Sequence, residues 1–169
     1  MRNAVNLHSP LWRTAAVCLS LAIPGTALAA PCAALPDQAA LQVRMLQTEL
    51  MVGALTCNQR AGYNAFVARH QPQLAKHGKQ LQGFFTRAYS KRELNNFITR
   101  IANQSAHRGM VQRGDFCRNT GRLHTAALSI EPAQLPVLAS SQPFSDLHGI
   151  TPCSTQVAQK QPAGKAVTK

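Results

Sequence analysis

The sequence is poor in acid. Six Asp and Glu stand against 18 Lys and Arg in 169 residues, a formal charge of +12. So few carboxylates leave little material for a hydrolase built on paired acids. Asp37 and Glu93 also sit where helices start, and Asp115 stands near another such start. Aromatics are scarce as well, and the one tryptophan, Trp12, falls in an N-terminal segment set aside below. Runs of β-branched residues are missing, while Ala, Leu and Gln abound, which favours helix over sheet. No two cysteines stand at CxxC spacing, so a zinc knuckle, a thioredoxin-type pair and a haem attachment all lack their signal. HExxH, GxSxG, the P-loop and GxGxxG are absent, and no cofactor is implied. Beyond the first thirty residues no apolar run is long enough to cross a membrane.

What is present begins with an export signal. Arg2 and Arg13 precede the uncharged stretch "TAAVCLSLAIPGTALAA", and "ALA" at 27–29 offers small residues to a signal peptidase. Residues 1–30 therefore read as a secretory signal peptide, cleaved after Ala29 or Ala30. Cys32 follows Pro31 and Cys18 follows Val17, so neither fits a lipoprotein site, which needs a small residue there. Removal of the leader leaves Cys32, Cys57, Cys117 and Cys153. An even number in an exported chain reads as a disulfide framework.

Residues 31–153 read as one all-α domain, a small four-helix bundle with an irregular C-terminal arm. The first helix spans 36–57, with Val43, Leu46, Leu50, Ala54 and Cys57 on one face. Met45, Met51, Val52 and Leu55 widen that face. Gly53 in its interior costs about 1 kcal/mol against Ala, which points to close approach by a neighbour. Gly62 marks the turn, and a second helix runs from Tyr63 to Tyr89. Phe66, His70, Leu74, His77, Leu81 and Phe84 hold one helical phase across Pro72, so a kink is expected rather than a break. Ser90 and Glu93 form a capping box for a third helix ending near Gly109. A fourth starts near Gly114 and Asp115 and stops before Pro132. The proline- and serine-rich arm after it has room for a short helix at 133–139. Residues 154–169 lack apolar period and are expected to be disordered.

Up-down topology then decides which cysteines meet. A helix of twenty-odd residues holds Cys32 and Cys57 about 30 Å apart at 1.5 Å per residue, and a bridge needs Cα atoms within roughly 7 Å. The fourth helix starts where the first ends, which places Cys117 beside Cys57. The arm starts at the other end, within reach of Cys32. Cys57–Cys117 and Cys32–Cys153 are the predicted bridges.

The basic residues concentrate in the middle of the chain, with 12 Lys and Arg against two acids between Arg60 and Arg122. Such a field favours an anionic partner. Arg60, Arg69, Lys76, Lys79, Arg87, Lys91, Arg92 and Arg100 are the candidate contact residues, and a merely solvated helix face is the plain alternative. The aromatics fall on the apolar stripe rather than among these cations, which argues against base stacking and nucleic acid. His70 and His77, seven apart, are the one metal-like pair, with His107 or His124 as further candidates; satisfied core histidines are the alternative.

The segments "LQTELMVGALTC", "YNAFV" and "FFTRAY", with "FC" at 116–117, resemble a group of small exported proteins of Gram-negative, especially alphaproteobacterial, bacteria. The resemblance spans roughly residues 41–117. It implies class and compartment, periplasmic or secreted, and no activity. The expectation is a non-enzymatic exported protein that binds an anionic envelope component or a partner protein. The alternatives are a periplasmic metal-binding protein or enzyme using His70 and His77, and a structural accessory protein of unknown role.

Overall fold

The computed structural model describes residues 31–153; the expected leader (1–30) and tail (154–169) lie outside the described residues. The described residues fold as five helices: α1 (Leu35–Thr56), α2 (Arg60–Ala88), α3 (Lys91–Val111), α4 (Arg113–Ser129) and the short α5 (Leu135–Ser140), with a 3₁₀ turn at Pro132–Gln134 before α5. The described residues contain no strand, only an isolated parallel bridge between Ala33 and Pro152. No helix among them is long and apolar enough to cross a membrane.

α1 is the hub. It packs against α2, α3, α4 and α5, so it is buried on more than one face. Leu41, Leu46 and Leu50 are fully enclosed, and Met45, Val52 and Ala54 nearly so. Leu55, expected to widen the apolar face, is 64% exposed instead, because the helix is about to leave the core. Gly53 is where α4 comes closest: a Cβ there would lie 2.7 Å from the Thr120 Cβ. That distance accounts for a glycine inside a long helix.

α2 runs unbroken through Pro72, which is exposed on its outer side. Phe66, His70, His77, Leu81, Phe84 and Phe85 form its buried stripe. The turn before it differs from expectation. Gly62 lies inside the first turn of α2 and packs on His124. Asn58, with φ 57°, makes the reversal; Asn tolerates this left-handed conformation better than most residues and commonly follows a helix C-cap.

Ser90 caps α3 by accepting the Glu93 amide at 3.2 Å. The Glu93 carboxylate bonds Asn96 rather than closing the box. α3 runs on past Gly109 to Val111, because that glycine is buried against Phe116 and Thr56. A single residue, Gln112, separates α3 from α4.

The predicted cross-links form at opposite ends of the bundle. Cys57 and Cys117 join the end of α1 to the start of α4, with Cα atoms 5.4 Å apart. Cys32 and Cys153 join the two ends of the domain, 4.8 Å apart. Two backbone bonds flank the second bridge, Ala33 N–H to Thr151 O and Cys153 N–H to Ala33 O, each 2.9 Å.

Candidate anion-binding surface

All six carboxylates of the chain lie within the described residues, and the fold engages each of them. Asp37, in the first turn of α1, accepts Gln80 at 2.5 Å and Arg87 at 3.1 Å, both from α2. Glu49, buried on α1, holds Arg108 of α3 by two bonds, of which the shorter is 2.5 Å. Asp115 pairs with Arg118 one turn on in α4. Glu131 stands 3.6 Å from Arg69, which also donates twice to the Ile130 carbonyl. Glu93 bonds Asn96, and Asp146 accepts Gln42.

Residues 31–153 carry 13 Lys and Arg. Four of them, Arg69, Arg87, Arg108 and Arg118, take a carboxylate. Nine remain without one. Arg100 donates to the His148 carbonyl, Arg113 to the Thr56 carbonyl and Arg122 to Asn119, while Arg44 reaches Gln47. Arg60, Lys76, Lys79, Lys91 and Arg92 are exposed, and their side chains make no hydrogen bond within the described residues. All five belong to the group of eight singled out in the sequence.

The eight do not share one face. At 100° per residue, Arg69, Lys76, Lys79 and Arg87 fall within roughly 80° of arc on α2, turned away from its buried stripe. Within that strip Arg69 and Arg87 are already neutralised by acids. Lys91 and Arg92 begin α3, at the end of the bundle where α2 finishes. Arg60 begins α2 at the opposite end, beyond the Cys57–Cys117 bridge. Arg100 is turned to the C-terminal arm, its guanidinium 5.6 Å from the Phe97 ring centre. The cations thus wrap the bundle as a diffuse positive shell.

Of the five described histidines, all but His107 are interior. His70 is fully buried, and its Nε2 lies 2.7 Å from the Ala127 carbonyl of α4. A carbonyl only accepts, so Nε2 carries the proton and the nitrogen has no lone pair to offer a metal. His77 stands two turns on, about 10 Å along the axis at 1.5 Å per residue. His124 is buried under Gly62, and His107 is exposed on α3. Among the described residues no three His, Cys, Asp or Glu side chains come together as a metal site would need. Burial lowers the pKa of His77, His124 and His148. For His77 the Lys76 charge adds to the fall; for His148 Asp146 opposes it and Arg100 reinforces it. His148 Nδ1 accepts the Ile150 amide at 3.1 Å, so the neutral ring carries its proton on Nε2.

An apolar hollow of about 540 Å³ lies where α4, α5 and the arm meet. Phe116, Leu123, Leu138, Phe144 and Leu147 line it, and the Glu49–Arg108 pair closes one side. Arg108 also stacks on Phe144, 5.9 Å from the ring centre. Sequence reasoning missed this arrangement, because Phe144 reaches α3 only through the path of an irregular arm. Arg44 was missed for a different reason. It was readable as a charge in the middle of the most apolar helix, but which acids would be taken by other cations depends on the fold.

The chain matches no family model, no curated protein and no solved structure. Its own residues therefore carry the functional reading.

Proposed function

We propose that the protein is exported to the periplasm or beyond and acts there, without catalysis, by binding an anionic surface of the cell envelope. One observation carries this reading: every carboxylate is engaged within the fold, while Arg60, Lys76, Lys79, Lys91 and Arg92 stand exposed with no bonded partner among the described residues. Dispersed cations suit an extended polyanion such as a lipid or lipopolysaccharide layer better than a compact ligand, because a layer can meet whichever group of exposed cations faces it, each one within the screening length contributing, and needs no built pocket. Two disulfides accord with an oxidising compartment. The leader-like residues 1–30 supply the route.

Co-sedimentation with phosphatidylglycerol vesicles tests the reading. Binding at about 20 mM salt is expected to collapse above about 300 mM, as the screening length shrinks below the spacing of surface charges. The double variant Lys76→Glu/Lys79→Glu should bind less at every salt concentration, and Lys91→Glu/Arg92→Glu likewise. No sedimentation with anionic vesicles at the low salt concentration would overturn it.

A further inference from the structure

Among the described residues Arg44 differs from every other cation lacking a carboxylate: it alone is not exposed. It projects from the middle of α1, where its only side-chain bond runs from Nη1 to Gln47 Oε1 at 3.3 Å. Its Nε is buried and has no partner. Burial pushes the guanidinium below its ordinary pKa, with Tyr63 acting the other way. A desolvated cation left unpaired is among the costliest arrangements a fold can hold, and all six carboxylates of the chain are engaged elsewhere.

The same residue lines a cleft of about 210 Å³ between α1, α2 and α3. His77 lines it too. That side chain is 8% exposed, and its Nε2 also lacks a partner. No acid borders the cleft; Val43, Leu74, Leu81 and Ile98 supply apolar wall. Gln47 and Gln82 add neutral amides to the lining; what is missing there is a negative charge and acceptors for Arg44 Nε and His77 Nε2.

The chemistry narrows the occupant. With His77 neutral, the cleft carries a single positive charge. A guanidinium offers parallel N–H groups that match the two oxygens of a carboxylate. A neutral imidazole offers one more N–H. A doubly charged phosphate would need a second cation and would press its remaining oxygens against aliphatic side chains. The geometry points to a binding site for a small monocarboxylate, its head on Arg44 and His77 and its short aliphatic or aromatic tail on Val43, Leu81 and Ile98. This site is separate from the exposed cations and stands or falls without them.

Calorimetric titration of the oxidised protein tests it, with butyrate and benzoate as probes and butyramide and inorganic phosphate as comparators. One of the carboxylates is expected to saturate at one per chain, butyramide not at all, and phosphate more weakly. Arg44→Met should weaken carboxylate binding about tenfold or more, the loss expected for one charge-assisted bond. Arg122→Gln, an exposed cation on α4 outside the cleft, should leave it unchanged. The proposal is overturned if neither carboxylate saturates, if butyramide or phosphate binds as tightly, or if Arg44→Met binds as the parent does. Should that variant fail to fold, the imidazole nitrogen resonances of His77 in the parent protein decide: they shift along the carboxylate titration, or the site is not there.

Discussion

α1 and α2 are both long and both helical, yet they treat charge in opposite ways. α1 has three charged residues, Asp37, Arg44 and Glu49, inside a helix wrapped by four others. Its two acids each capture an arginine from a neighbouring helix, Arg87 and Arg108. α2 has five cations and no acid. Its buried stripe is neutral, and most of its positive charge is left to water. On a central helix an ion must be answered by the protein; on a covering helix it need not be. Arg44 is the exception that this contrast exposes, a charge on the central helix with no answering acid.

Truncating the hydrophobic contacts should break the symmetry of the two helices most strongly. Leu46 is fully enclosed, so Leu46→Ala should cost about 3 kcal/mol through lost transfer energy and a cavity. Leu74, half-buried on α2, should cost about 1 kcal/mol by the same change. Urea denaturation of the oxidised protein measures both, and equal losses would refute the picture of α1 as the hub. Next in size is the ion pair. Glu49→Gln leaves Arg108 facing a neutral amide at a site where the acid is 7% and the arginine 32% exposed. The expected cost is about 2 kcal/mol, below that of a fully buried pair because Arg108 retains some water. Glu93→Gln, on an exposed turn, should be nearly silent.

Acid should sharpen the same contrast between interior and cover. The folded pKa values of His77, His124 and His148 lie below the unfolded value, so the unfolded chain takes up protons first as pH falls. Their contribution is therefore intact above about pH 6.5 and is lost progressively as pH drops below it. Denaturant midpoints at pH 7.5 and 5 measure the change. His148→Gln should reduce the slope; an unchanged midpoint would show that the three rings titrate as they do in the open chain.

Much of this architecture was legible in the chain. Helix phase and up-down parity were enough to pair the cysteines, because a rigid rod of known rise leaves few ends that can meet. Ser90 revealed the start of α3, and Gly53 revealed a close neighbour without identifying it as Thr120. The turn at Asn58 was not legible, since Gly62 is an equally good breaker by composition and only packing against His124 draws it into the helix. Nor was the Arg108–Glu49–Phe144 cluster. Its members are 36 and more positions apart, and their meeting depends on helix rotation and on an arm with no period. The exterior cations could be named from sequence, but their distribution around the bundle depended on where α3 sits against α1 and α2.

Two glycines, one in each helix, should respond to the same substitution with opposite signs. In α1, Gly53→Ala places a methyl 2.7 Å from Thr120, a residue tied by its hydroxyl to Gln59 and the Phe116 carbonyl. Neither backbone can yield freely, and overpacking should cost about 1–2 kcal/mol. In α2, Gly78 has nothing within 4 Å of the position its Cβ would take. It is exposed and helical, so Ala there only removes freedom from the unfolded chain. Gly78→Ala should stabilise by about 0.5–1 kcal/mol. Thermal denaturation of the two variants side by side should move the midpoint down for the first and up for the second. Movement in one direction for both would mean that α1 and α4 are not in contact at Gly53, and with that the placement of Cys57 beside Cys117 would lose its packing support.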